Sequence, residues 1–228
     1  MTNLPTHIGF IVDGNRRWAK QRGLAPWEGH YAGEKALEEV VLATVNAGVP
    51  YVSAYVFSTE NWKRSKDEVS KLMALLVRLL KTKISVFQRE GIRLVILGSR
   101  DQLSKTVCAA IDKATAATAD NTRATLVLCL NYGGQQEIAD ACKKIVEAGT
   151  VPEQITPELI AANLYEPDIP ACDLIVRTSG EQRLSNFMVW RSAYSELYFT
   201  DKLWPDMTKT DIEDILNEYS KRVRRFGG

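Results

Sequence analysis

The chain has 228 residues, 45% of them hydrophobic, with 29 basic against 28 acidic side chains. That is enough apolar material for a full core, and the net charge of +1 excludes binding to nucleic acid through bulk electrostatics. The four cysteines form no C-x-x-C pair and read as buried thiols of a reducing compartment.

The most apolar long run, "LMALLVRLL" at 72–80, contains an arginine and falls far short of the roughly 20 residues that span a bilayer. With no basic signal-type N-terminus, the expectation is a cytoplasmic protein without a transmembrane segment.

Taken in chain order, short apolar runs predict strands at 7–12, 51–57, 92–97, 124–130, 173–178 and 196–200. Between them, helical patterns predict helices at about 30–47, 66–90, 101–119, 134–148, 157–164 and 209–224. Runs such as "TLVLCL" are apolar at nearly every position, as parallel strands covered on both faces require. The alternation predicts an α/β fold: a central parallel sheet of about six strands flanked by helices, in a single domain over 1–228. Ser65-Lys66-Asp67-Glu68 reads as a capping box and Thr156-Pro157 as a capped start. Across 66–90, Val69, Leu72, Met73, Leu76, Leu79, Leu80, Ile84 and Phe87 share one helical face, widened by Leu75, Val77 and Val86. Such a stripe suits a helix packed on two sides, or one that lines an apolar cavity.

Open parallel sheets bind ligands beyond the carboxyl ends of their strands. There the sequence places "DGNRRW" at 13–18, "STENWKR" at 58–64, "NYGG" at 131–134 and "RTSGEQRLSNF" at 177–187. Asp13, Glu60 and Glu196 are hard oxygen donors suited to magnesium. Arg16, Arg17, Arg64, Arg177 and Arg183 suit phosphate oxygens, more of them than one monophosphate needs. They predict two polyphosphate groups side by side. Gly14 and Gly180 let backbone amides approach an anion, and Ser58, Thr59, Ser179 and Ser185 add hydroxyls. Phe57, Trp18 and Trp62 supply apolar walls, while His7 reads as structural and Trp190 and Trp204 as packing. No P-loop, no G-x-S-x-G elbow and no D-x-D nucleophile pair is present.

In this order "HIGFIVDGNRRWAKQRG", "GH" at 29–30, "FSTENWKR", "LNYGG", "RTSGEQRLSNF", "SELYFTDKLWPD" and "RRFGG" resemble the cis-prenyltransferases, the undecaprenyl diphosphate synthase family. The resemblance implies a homodimer of α/β subunits with a hydrophobic tunnel. It also implies a Mg2+-dependent condensation of isopentenyl diphosphate with an allylic diphosphate such as farnesyl diphosphate. It makes Asp13 the essential carboxylate and magnesium ligand. Gly14, Asn15, Arg16, Arg17, Trp18 and His30 then hold the allylic diphosphate, with Ser58, Thr59, Glu60, Trp62 and Arg64 continuing that pocket. Arg177, Arg183, Leu184 and Ser185 hold isopentenyl diphosphate, and Glu196 is a magnesium ligand that can come from the partner subunit. Arg225 and Gly227 belong to a tail reaching across the dimer. The family gives proton acceptance to Asn61, although an amide is a poor base.

The implied product is undecaprenyl diphosphate for the cell-wall lipid carrier, delivered to the membrane surface by an enzyme peripheral at the inner face. Shorter cis-prenyl products and a non-catalytic partner subunit are the alternatives. Three positions depart from many bacterial members: Arg16 replaces a glycine, Pro26 an arginine and Val56 an alanine. Arg22 or Arg16 is expected to make up the charge missing at Pro26, and Val56 to narrow the tunnel.

Overall fold

His7–Ile11 forms β1, buried at every position. In the computed structural model, which describes residues 4–222, five more strands extend it: β2 (Tyr51–Ser58), β3 (Ile92–Leu97), β4 (Ala124–Tyr132), β5 (Leu174–Arg177) and β6 (Glu196–Phe199). The six-stranded sheet runs in the order β3-β4-β2-β1-β5-β6, and every neighbouring pair is parallel. The predicted architecture is therefore the observed one.

Alternate residues of a strand face opposite sides of a sheet. Ile8 and Phe10 join a core cluster with Leu37, Val40, Leu76, Leu79, Ile111 and Leu216, whereas Ile11 joins a second with Cys129, Phe187 and Met188. The first cluster draws on α2 (Pro26–Asn46), α3 (Lys66–Thr82), α5 (Lys105–Ala117) and α8 (Lys209–Ser220). The second lies under the segment that follows β5. It is tied to α6 (Gly134–Glu147) by Glu137, whose carboxylate accepts from Tyr132 Oη at 2.6 Å and from Arg191. Beside α6 packs α7 (Pro157–Asn163), whose predicted cap is present as Leu159 N–H donating to Thr156 Oγ1.

Four details differ from expectation. An unpredicted helix, α1 (Asn15–Gln21), follows β1 at once. α2 starts at Pro26 rather than 30, because Pro26 supplies the first-turn φ and Glu28 accepts from the Ala25 N–H at 2.8 Å. The long helix over 66–90 breaks at Lys83 into α3 and α4 (Ile84–Arg89). Thr82 Oγ1 donates back to the Arg78 carbonyl, a contact that bends helices, and Lys83 pairs with Glu38. Finally, Cys129 and Cys172 are buried, but Cys108 is half-buried and Cys142 exposed, because each lies on a helix flank away from the sheet.

The sheet topology selects the site. From β1 the chain crosses to β2 on one side, and from β5 to β6 on the other, so β1 and β5 flank a switch point. Register pairs Ile11 with Arg177 and with Tyr55, which brings Asp13, Arg177 and the 58–64 segment to one edge.

Candidate active site

Asp13 is held from its backbone outward. Its N–H reaches the Ile11 carbonyl at 2.9 Å, and its carbonyl accepts from Thr178 Oγ1 at 2.6 Å and from the Trp204 N–H at 3.1 Å. Thr178 lies within the 177–187 motif, but the sequence reading gives it no role of its own. Gly14 follows with φ 105°, and a Cβ there would lie 2.9 Å from Leu203 Cδ2, so only glycine fits. The Asp13 carboxylate accepts from the Gly14 N–H at 2.7 Å through Oδ1 and from Arg177 Nη2 at 3.0 Å through Oδ2. Arg17 Nη2 stands 3.8 Å from the same oxygen.

Arg177 has a side chain only 4% exposed. It also donates to Ser185 Oγ at 2.7 Å and to the Arg183 carbonyl, so one buried cation holds both Asp13 and the 183–185 segment. Its Nε is buried without a partner. That segment is locally strained: Ser185, Asn186 and Met188 all have positive φ without being glycine, a feature that collects at functional loops.

Two polar cavities meet here. The first, about 760 Å³, is lined by Asp13, Gly14, Asn15, Arg16, Arg17, Lys20, Pro26, His30 and Arg64. The second, about 530 Å³, is lined by Asp13, Tyr55, Ser58, Glu60, Asn61, Arg64, Arg177, Ser185 and Asn186. Asp13 and Arg64 belong to both. Below the first lies an apolar cavity of about 90 Å³, reached past Asn15 and His30 and walled by Leu37, Val56, Phe57, Leu76, Leu79 and Trp204. Val56 thus stands on the cavity wall that its position predicted.

His30 lies where the polar and apolar spaces join. Burial, aided by the Arg64 charge, lowers its pKa to about 4, and its Nε2 has no partner. A neutral imidazole there carries one N–H donor without repelling the arginines. Asn15 sits against two glycines of α2: a Cβ on Gly33 would come within 2.2 Å of Asn15 Oδ1, and one on Gly29 within 2.0 Å of its carbonyl. The spacing Gly29-x-x-x-Gly33 is what lets α1 lie on α2.

The other predicted residues divide. Ser58 and Asn61 cap one another, the Ser58 N–H donating to Asn61 Oδ1 at 3.1 Å, so the amide nitrogen is the end left toward the second cavity. Glu60 accepts from Asn186 Nδ2 at 3.0 Å; partial burial opposes its ionisation, but hydrogen bonds led by Asn186 hold its carboxyl below the ordinary range. Arg17 donates to the Ser179 carbonyl at 2.9 Å and lies 3.3 Å from Glu181.

Trp18, Thr59 and Trp62 support the site rather than line it. Trp18 Nε1 donates to Asp206, Trp62 Nε1 donates to Asn131 at 2.7 Å, and Thr59 lies against Gly133. Arg183 is exposed and paired with Glu181, while Leu184 packs on the second core cluster.

Three further findings concern charge. Arg22 stacks 4.2 Å over Trp18 and pairs with Asp206, so it does not replace the cation missing at Pro26. Arg16 does line that cavity, and so does Lys20, which the sequence reading did not single out. Glu68 completes only half of the expected capping box: its N–H reaches Ser65 Oγ, but its carboxylate holds Arg64 at 3.0 Å and stands 3.9 Å from Arg16.

Glu196 does not join Asp13 within the chain. It pairs in register with Leu174, itself level with Ile8, at the amino edge of the sheet. Five residues at about 3.3 Å and two strand spacings of about 4.8 Å put it roughly 19 Å away, and its carboxylate pairs with Arg222 at 3.0 Å. Arg225 and Gly227 lie outside the described residues.

Among the described residues no three His, Cys, Asp or Glu side chains converge as a metal cage. A single half-exposed carboxylate beside an arginine-lined cavity nonetheless fits magnesium, which keeps several waters and takes other oxygens from bound phosphates.

The sequence matches the family model described as putative undecaprenyl diphosphate synthase over residues 11–227. The chain belongs to this family of cis-prenyltransferases. "Isoprenyl transferase 2" of Corynebacterium glutamicum is 47% identical over 98% of this chain and 94% of its own length. The isoprenyl transferase of Thermotoga maritima is 46% identical over 99% and 97%. A trans,polycis-polyprenyl diphosphate synthase of Thermobifida fusca, described as (2Z,6E)-farnesyl diphosphate specific, is 45% identical over 99% and 81%.

Among solved structures, lavandulyl diphosphate synthase from Lavandula x intermedia in complex with dimethylallyl diphosphate superposes with a TM-score of 0.95 at 32% identity, covering 99% of each chain. A probable undecaprenyl diphosphate synthase from Campylobacter jejuni superposes at 0.85, 30% identical over the whole of both chains. Membership of the cis-prenyltransferases accounts for the paired cavities: a prenyl-transfer site has to hold a donor and an acceptor together.

Proposed function

We propose that this chain is a single catalytic domain that condenses isopentenyl diphosphate with an allylic diphosphate to give a cis-prenyl diphosphate. The observation that carries the reading is the pair of polar cavities that share Asp13 and Arg64, with an apolar cavity opening beside one of them at His30. Arg16, Arg17, Lys20 and the His30 N–H bind the allylic diphosphate in the first cavity, and its prenyl tail enters past Asn15 and His30. Arg177, Ser185 and Arg64 bind isopentenyl diphosphate in the second. The ligands named for the Thermobifida and Lavandula relatives, farnesyl and dimethylallyl diphosphate, are both allylic starters of this kind.

Asp13 would hold magnesium, which would supply positive charge to the diphosphate as it departs. Arg17 and Arg16 take up the charge that develops as the allylic C–O bond ionises. The double bond of isopentenyl diphosphate, oriented beside it by Asn61 and Ser58, attacks the allylic cation, and a proton is then lost. With its oxygen already accepting from Ser58, Asn61 orients the acceptor; the diphosphate oxygens are the stronger bases.

In the homodimer that the resemblance implies, Glu196 would serve the partner subunit's site rather than its own. The enzyme works in the cytoplasm, peripheral at the inner membrane face, and hands its product to that surface; among the described residues no helix is long and apolar enough to cross a membrane.

Undecaprenyl diphosphate, the cell-wall lipid carrier precursor, is the product that the family description suggests. The apolar cavity of about 90 Å³ favours a shorter product. Incubating the purified chain with farnesyl diphosphate, radiolabelled isopentenyl diphosphate and magnesium tests both. Extractable label is expected, and chromatography reads its length. Absence of any labelled prenyl product with farnesyl, geranyl or dimethylallyl starters would overturn the enzymatic reading.

A further inference from the structure

The wall of the apolar cavity contains a charge that packing alone does not call for. Glu34 stands one helical turn beyond His30 on the same face of α2, and its side chain is 4% exposed. A carboxylate is expensive in such a wall unless it is paired. Its partner is Arg78 of α3, whose guanidinium also stacks 4.1 Å over the Tyr31 ring. Arg78 leaves α3 on the flank opposite its apolar stripe and is 39% exposed, so the contact takes a half-exposed cation to a buried carboxylate.

The two charges line different spaces. Glu34 lines the apolar cavity, and Arg78 a neighbouring, largely apolar groove of about 580 Å³ that also includes Trp27, Tyr31 and Ala74. His30, Leu72 and Leu75 line both. The cavity and the groove are therefore neighbours on one path from the diphosphate cradle, and the Glu34–Arg78 pair bridges the wall between them.

Size makes that wall matter. An apolar cavity of about 150 Å³ accepts benzene, so one of about 90 Å³ accepts roughly one five-carbon unit. A longer tail has to part α2 from α3 beside Leu72 and Leu75 and run into the groove. Each added unit gains by burying apolar surface. The unit that crosses the wall also separates a buried carboxylate from its cation, which is strongly unfavourable. Growth is then discouraged at one particular length.

Resting on the cis-prenyltransferase reading, we propose that the Glu34–Arg78 ion pair, braced by Tyr31, is the stop that limits product length in this chain. Arg78 and Glu34 act as specificity-determining residues and touch no diphosphate.

The test is product analysis with dimethylallyl diphosphate, whose single five-carbon unit fits the cavity, isopentenyl diphosphate and magnesium for wild type and the Glu34→Gln/Arg78→Met variant. The double substitution keeps volume and removes both charges together, leaving no unpaired ion. Mean product length is expected to rise by about one five-carbon unit or more, because no buried carboxylate has to be parted from its cation. Adding Ala74→Trp, which fills the outer groove, is expected to return the short distribution. An unchanged distribution in a double variant that melts and turns over like wild type overturns the proposal. Should the double variant not fold, Arg78→Lys keeps the charge but loses the fork and the stacking plane; it is expected to shift products part of the way, and an unshifted distribution counts against the stop. Failure of the underlying reading is distinct, since wild type would then make no elongated product at all.

Discussion

Gly33→Ala should destabilise this protein although the substitution lies inside a helix. In an exposed helix interior, exchanging Gly for Ala stabilises by about 1 kcal/mol. Here the new Cβ would lie 2.2 Å from Asn15 Oδ1 and 3.1 Å from Trp204 Cδ1. α2 cannot retreat freely at this point, because the Gly33 carbonyl accepts from Trp204 Nε1 at 2.9 Å, and Trp204 is 1% exposed. The Asn15 side chain must therefore swing, and its 3.2 Å hydrogen bond to the Val12 carbonyl is lost. Overpacking costs about 1–3 kcal/mol and the lost hydrogen bond about 1 kcal/mol. Against the propensity gain, a net loss of about 1–3 kcal/mol remains. For a chain of this size that lowers Tm by about 2–12 °C.

Because Asn15 begins the helix that carries Arg16, Arg17 and Lys20, the KM for the allylic diphosphate should rise several-fold while that for isopentenyl diphosphate changes little. Gly29→Ala should be worse, since its Cβ would meet the Asn15 carbonyl at 2.0 Å, backbone that no rotamer change can move. Thermal melts and steady-state kinetics read both effects. A Gly33→Ala variant that melts at or above wild type with unchanged allylic KM would refute the close-approach account.

Asp13→Asn should abolish turnover while leaving the melt and isopentenyl diphosphate binding nearly intact, because the amide oxygen can still accept from the buried Arg177; wild-type-like turnover would sink its assigned role. Lys20→Ala and Arg16→Gly should each raise the allylic KM, whereas Arg22→Ala should not, since Arg22 pairs with Asp206; equal effects in all three would remove the distinction drawn at Pro26. Val56→Ala enlarges the wall of the apolar cavity and should lengthen the product, which chromatography of labelled products would show.

His7 and His30 are both lowered by burial from 6.5 to about 4. A depressed histidine pKa means that the unfolded state binds protons more readily. Stability is thus complete above about pH 6.5 and lost as pH falls toward 4. Urea melts across that window should show the decline, and His30→Gln should flatten part of it; a flat wild-type profile would contradict the burial of both rings.

The sequence by itself determined the sheet and the edge that matters. Continuous apolar runs such as 124–130 leave a strand no solvent face, and each polar cluster follows a strand directly, so parallel strands bring four of them to one edge. The arginines and Asp13 were legible because their chemistry is legible: forks for phosphate, a carboxylate for a metal. What the tertiary structure alone decided depends on contacts between residues far apart in the chain. Thr178 holds the Asp13 backbone, and Glu68 turns from a cap toward Arg64. Glu196 lies at the opposite end of its strand from Asp13, because strand register, not residue type, sets that position. Glu34 and Arg78 lie on two separate helices, and no spacing in the sequence links them. Only the packing of α2 against α3 removes one of them from water and pairs it with the other.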